Sequence, residues 1–262
     1  MSIARRAGEP LAGEAPFTGE ALFTGEDLVR RILYRDRDVL ILDKPAGLPV
    51  HAGPKTRIDL ESLLPALQLD GHEVPALGHR LDTDTSGCLV LARHAKALKR
   101  LARAFAAHSV AKTYWAVVAG GPSSDEGVID LPLIKRNDRE GWRMEVAKPG
   151  TAAALSARTR YRVLGRGVLG RGEIAWLELT PETGRTHQLR VHCLSQGWPM
   201  IGDPFYGDEH RIGQAPGAWG LHLMSRRIEL PALRETGFAC HAEAPPPAHM
   251  REQLAACGWR AA

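Results

Sequence analysis

Apolar positions along the 262-residue chain fall into short continuous runs broken by Pro, Gly and Asp, with few long helical stripes. The run "DVLILDKPAGLPVH" (38–51) predicts a short strand followed by a Pro/Gly turn. "DLESLLPALQL" (60–70) has helical spacing at Leu60, Leu63 and Leu64 until Pro65 interrupts it. "CLVLAR" (88–93) predicts a buried strand, and "KTYWAVVAG" (112–120) a weakly alternating one. Between them "AKALKRLARAFAAH" (95–108) predicts an amphipathic helix. Its apolar face is Leu98, Leu101, Ala102 and Phe105, with Lys96, Lys99, Arg100 and Arg103 on the remainder. Further strands are predicted at 127–134, 157–164, 173–180 and 220–230, and a helix over "GRTHQLRVHCLSQG" (184–197) closed by Gly197. Many strands, few helices and no regular β-α alternation predict an α+β fold: a mixed, largely antiparallel sheet with helices packed on it.

Composition bounds this picture. A hydrophobic fraction of 44% and a charged fraction of 24% are those of an ordinary globular chain with a real core. The net charge of +4 is compatible with a polyanionic partner without requiring one. The basic residues are mostly Arg, which suits bidentate phosphate recognition and equally reflects genome composition. The four cysteines show no C-x-x-C pair, so reduced thiols in a cytoplasmic protein are expected. Arg5 and Arg6 are followed by no apolar stretch, which argues against a secretory leader, and no apolar run is long enough for a membrane span. Residues 1–27, rich in Ala, Gly, Glu, Pro and Thr and holding the repeat "FTGEAL"/"FTGEDL", read as a mobile tail; residues 28–262 read as one domain.

The densest chemistry lies in "HRLDTDTSG" (79–87). An extended 79–82 would put Arg80 and Asp82 on one face and His79 and Leu81 on the other. Thr83–Gly87 is turn chemistry, in which Asp84 is a ready loop cap. Two readings compete. As D-x-D-x-T, Asp82 and Asp84 resemble the nucleophile motif of magnesium-dependent haloacid-dehalogenase-like phosphohydrolases, with "GDPFYGD" (202–208) as an acidic metal motif. That motif needs a continuous apolar strand before it, and here "GHR" precedes it. As R-x-D, an aspartate works beside arginine on something polyanionic. A second motif, "ETGRTHQLRVH" (182–192), has Thr186 and Arg190 at i, i+4 and His187 and Arg190 at i, i+3 if it is helical, a start suited to phosphate. Tyr114 alone reads as strand packing.

Taken together, "LILDKPAGLPVH" (40–51), "HRLDTDTSG" (79–87), "KTYWAVV" (112–118), "GRTHQLRVH" (184–192), "MIGDPFYG" (200–207) and "LHL" (221–223) resemble, in order, the RluA-like family of RNA pseudouridine synthases. The resemblance implies the pseudouridine synthase fold, with an active-site cleft across the middle of the sheet. It implies isomerisation of uridine in rRNA or tRNA, with Asp82 as nucleophile or elimination base near the sugar C1′. Arg190 would be the cation that keeps the carboxylate ionised, and Tyr114 the residue that stacks on the base and accepts the C5 proton. The target nucleotide would be flipped out, with Arg80 filling its place or holding phosphate. His79, Lys44, Arg185, Thr186 and His187 are the remaining substrate-binding candidates. The chemistry calls for no metal and no cofactor, and the expected state is a monomer. Many relatives carry a small N-terminal RNA-binding domain where this chain has the tail, so target choice would rest on the catalytic domain. A catalytically silent RNA-binding module is the other alternative; Asp82, Tyr114 and Arg190 together argue against it, because affinity for a polyanion needs no carboxylate facing it.

Overall fold

The computed structural model describes residues 23–53, 56–138, 141–207, 220–234 and 239–261. The chain divides into two compact units. One is formed by residues up to Lys112 with Met224–Ala248, the other by Thr113–Leu223 with His249–Arg260.

The first unit opens on helix α1 (Gly25–Arg30). Thr24 starts it with a capping box: its hydroxyl accepts from the Asp27 amide, and the Asp27 carboxylate accepts from the Thr24 amide. Residues 25–27, expected in the tail, thus belong to a capped helix; residues 1–22 lie outside the described residues. Strands β1 (Ile32–Arg35) and β2 (Val39–Lys44) pair antiparallel, and every residue of β2 is buried, as its apolar run requires. Helix α2 (Leu60–Leu63) passes into a 3-10 turn at Leu64–Leu67, where Pro65 ends the α-helical ladder. Strand β3 (Ala76–Leu77) precedes β4 (Ser86–Ala92), which is buried throughout and pairs antiparallel with β2. Helix α3 (Ala95–Ala106) follows; it buries Ala97, Leu101 and Ala104 and leaves Ala102 exposed, so its inner face is turned from the expected one.

In the second unit β5 (Ala111–Ala119), β10 (Gly172–Pro181), β9 (Arg158–Leu169) and β6 (Glu126–Asp130) lie side by side in that order, all antiparallel. The strand expected over 127–134 breaks at Leu131-Pro132, and the chain continues as a separate ribbon of β7 (Leu133–Asp138) and β8 (Gly141–Val146). Helix α4 (Gln188–Ser195) lays Leu189 and Cys193 on Ala116, Val118, Ala175, Leu177 and Leu179 of the sheet. The chain returns to the first unit with β11 (Leu223–Leu230) and β12 (Cys240–Glu243), then ends in the second with α5 (Ala248–Ala256). Within the first unit the strand order is β1-β2-β4-β11, with β3 on β4 and β12 on β11. The β4–β11 pairing is parallel, and the other ladders are antiparallel. That pairing explains the last letter of HRLDTDTSG. Gly87 has φ +100, and a Cβ there would stand 2.2 Å from the Ser225 carbonyl oxygen, so only glycine closes the motif.

Candidate active site

In the first unit Asp82 is half-buried, just before a turn closed by the Thr85 amide donating to the Asp82 carbonyl at 3.1 Å. Leu81 is buried and Arg80 exposed, and residues 79–82 form no strand. The turn is tied to the first motif through one atom. The Thr83 carbonyl oxygen accepts from the Gly47 amide at 2.9 Å and from Lys44 Nζ at 2.9 Å. Lys44 also donates to the carbonyls of Pro45 and Leu48, both at 2.8 Å. Burial pulls its pKa down to about 7, against the nearby Asp84, Asp82 and Asp43, which favour the ammonium.

Two expectations change here. Lys44 was expected to bind substrate, but its side chain is wholly buried and its three donors meet three carbonyl oxygens, so it pins the Asp82–Asp84 turn from beneath. His79 was the other. Its Nε2 accepts from the Val90 amide at 3.0 Å, and its ring lies against Phe105 with centroids 4.9 Å apart. Burial, then the charge of Lys112, pushes its pKa down to about 4. A neutral ring whose acceptor nitrogen holds the backbone of β4 is a structural histidine.

In the second unit Tyr114 is half-buried on β5, paired in register with Leu179, and packs on the cluster that includes Leu189 of α4. The helix expected from residue 184 begins instead at Gln188. The Gln188 side chain explains the delay. Its Oε1 accepts from the Thr183 hydroxyl and the Arg185 amide, and its Nε2 donates to the Arg158 carbonyl and Thr159 hydroxyl. Residues 183–187 are therefore wound into a turn, and the Thr186–Arg190 helical spacing does not exist. His187, the N-cap, sits in the left-handed region at φ 51 with no side-chain cap bond. Arg185 and Thr186 are exposed, and Arg185 Nε donates to the Ser156 carbonyl at 3.0 Å.

Arg190 is 2% exposed and makes a two-pronged pair with Asp203: Nε to Oδ2 at 2.7 Å, Nη2 to Oδ1 at 2.6 Å. Asp203 Oδ1 also accepts the amides of Phe205 and Tyr206 at 2.9 and 3.0 Å. The turn is tight enough that a Cβ on Gly207 would stand 2.4 Å from the Asp203 carbonyl. The rings of Phe205 and Tyr206 lie 5.4 and 5.1 Å from the Arg190 guanidinium carbon. Tyr206 accepts the Met144 amide and bonds His187 Nδ1, both at 3.0 Å. Asp203 went unassigned in the sequence reading. The signal was available: a buried Arg requires a buried acid, and "GDPFYG" offers one.

This geometry decides against a metal role for the GDPFYG acid, because both Asp203 oxygens are taken by Arg190 and backbone amides. Asp208 of that motif lies outside the described residues. Residues 38–195, a span that takes in Asp82, Tyr114 and Arg190, match the family model described as RNA pseudouridylate synthase. The chain belongs to the RluA-like family of RNA pseudouridine synthases. An uncharacterized RNA pseudouridine synthase of Zymomonas mobilis is 44% identical over 182 residues, 69% of this chain and 80% of that protein. The mitochondrial pseudouridylate synthase RPUSD4 of Rattus norvegicus is 33% identical over 243 residues, 79% of this chain and 63% of the relative. Among solved structures, human RNA pseudouridylate synthase domain containing 4 superposes with a TM-score of 0.72 at 29% identity, covering 89% of this chain and 95% of that one. The fold is thus the pseudouridine synthase fold, mixed and largely antiparallel, as expected from the sequence. Membership among the pseudouridine synthases leaves the magnesium phosphohydrolase reading without support. No helix among the described residues is long and apolar enough to cross a membrane.

Proposed function

We propose that this chain converts uridine to pseudouridine within rRNA or tRNA, using Asp82 as the acting carboxylate. The N1–C1′ bond breaks, the uracil turns, C5 bonds to C1′, the C5 proton leaves and N1 gains one; no water is consumed. Asp82 attacks C1′ or removes a proton to open an elimination route, either of which needs an ionised carboxylate. Arg190, held in its buried place by Asp203, is the cation this reading assigns to the site. Tyr114 stacks on the base and takes the C5 proton. Arg80, Arg185 and Thr186 are exposed and suit contact with the RNA backbone, and His187 lies beside them in the motif. The target base is flipped out of its stack to be reached.

The observation that carries this reading is the family match over residues 38–195, a span that includes Asp82, Tyr114 and Arg190, together with the turn after Asp82, whose Thr83 carbonyl accepts from the Gly47 amide and Lys44 Nζ. In this reading residues 28–262 form the catalytic domain and the enzyme works as a monomer, which light scattering of the purified chain checks. Four free thiols suit a reducing compartment, and we place the enzyme in the cytoplasm; cell fractionation tests that. The activity test is carbodiimide mapping of pseudouridine in total RNA from cells with and without the chain. At least one carbodiimide stop that depends on the chain is expected, and an identical pattern in both RNAs would overturn the reading.

A further inference from the structure

The β7–β8 ribbon carries an aromatic surface that neither folding nor the isomerisation chemistry explains. The two strands form a two-stranded sheet of their own, tied to the rest of the unit by a bridge between Leu133 and Leu155. On one face, Leu133, Met144 and Val146 pack with Val191 and Tyr206. The same face continues outward through Lys135 to Trp142, because Lys135 pairs with Met144 and Asn137 with Trp142. Trp142 is 45% exposed. Its ring stacks on His187, with centroids 5.2 Å apart and planes inclined by 28°. Phe205, 62% exposed, lies 5.9 Å from the same imidazole. His187 therefore stands between two exposed aromatic side chains. It is held there by the Tyr206 hydroxyl, on a backbone at φ 51 that few non-glycine residues adopt.

Three cations, Lys135, Arg136 and Arg143, lie on the ribbon's described residues. Lys135 Nζ lies 4.7 Å from the Trp142 ring centroid. On the opposite face Arg136 and Arg143 are exposed and directly cross-strand from each other. Glu145 answers Arg136 at 2.5 Å. Adjacent exposed aromatics among cations match a ligand that offers flat rings on a polyanionic chain.

We propose that Trp142, His187 and Phe205 form a stacking platform for an unpaired base of single-stranded RNA outside the reacting nucleotide. The platform rests on the proposed function for its biological substrate and on its own geometry for its chemistry. Bases stack on Trp142 and Phe205, while Lys135 leaves the indole to meet phosphate.

The test is fluorescence anisotropy with a labelled oligouridylate of about 12 nucleotides, and inorganic polyphosphate as a polyanion without bases. Trp142→Ala and Phe205→Ala are each expected to weaken oligouridylate binding roughly five- to a hundredfold. Trp142→Phe should recover most of that loss, and polyphosphate binding should be the same for all three variants as for wild type. Unchanged oligouridylate affinity in Trp142→Ala overturns the platform. So does a parallel loss of polyphosphate binding, which reports charge or misfolding, and so does a wild-type chain that binds polyphosphate but not oligouridylate. A chain that binds as expected yet forms no pseudouridine keeps the platform and loses the proposed function; the reverse result keeps the function and loses the platform.

Discussion

The turn of HRLDTDTSG and the helix start of GRTHQLRVH hold buried cations by opposite means. In the first, the Lys44 ammonium meets three backbone carbonyls, so the cation serves the main chain and fixes where the 82–84 turn runs. In the second, the Arg190 guanidinium meets a carboxylate in a fork, so the acid serves the cation and fixes where its charge lies. The difference follows from donor geometry: three radiating N–H groups suit scattered carbonyls, and a planar fork suits one carboxylate. A basic residue in a motif thus acquires its meaning from its acceptor.

The largest expected effect comes from breaking the fork. Asp203→Ala strands a buried guanidinium and should cost about 3–5 kcal/mol in denaturant unfolding. Replacing both partners, Arg190→Met with Asp203→Leu, should recover much of that stability without recovering turnover, which separates the pair's structural share from its chemical one. Next is acid. His222 in the second unit is fully buried, with Nδ1 on the Gly220 carbonyl at 2.8 Å, and burial pushes its pKa down to about 4. The unfolded chain binds that proton near pH 6.5 and the folded chain does not. Stability is therefore complete above about pH 6.5 and falls as pH drops toward 4, by up to about 3 kcal/mol from this group. His79 adds a loss of the same sign in the first unit. Unfolding free energies measured from pH 7 to 4 check this, and a flat profile contradicts it.

Lys44→Met comes third. It takes the Lys44 donor from the Pro45 and Leu48 carbonyls and leaves Thr83 with the Gly47 amide alone, and should cost about 2 kcal/mol, while the salt dependence of RNA binding stays unchanged. A slope reduced by about 1 would mark Lys44 as a phosphate contact after all. Arg80→Ala is its mirror image and the smallest change in stability: within about 0.5 kcal/mol of wild type, with the salt slope reduced by about 1.

Much of the fold was legible because its central strands announce themselves. β2 and β4 are built on continuous apolar runs, and burial on both faces leaves such runs little else to be. The inner face of α3 was misread because alanine is neutral on the question: Ala97 and Ala104 are buried where Ala102 was expected. The start of α4 was misplaced because Gly-Arg-Thr resembles a helix entry, and the Gln188 bonds that prevent it reach residues 29 and 30 positions away. The site was legible as motifs and opaque as contacts. Lys44 and His79 have the chemistry of ligand-binding residues, and only backbone groups brought in by the fold reveal that those donors and acceptors are used. Asp203 stood in a quoted motif, but its bond to Arg190 crosses 13 positions that no local pattern spans.

The central claim is that of two neighbouring aspartates only Asp82 acts, with Asp84 belonging to the turn. Its most direct test is pseudouridine formation by wild type, Asp82→Ala and Asp84→Asn on the same RNA, in EDTA, with RNA binding measured alongside. The expected result is full conversion by wild type, none by Asp82→Ala with RNA binding retained, and most of the turnover kept by Asp84→Asn. Wild-type turnover by Asp82→Ala, or equal losses in the two variants, would contradict the account.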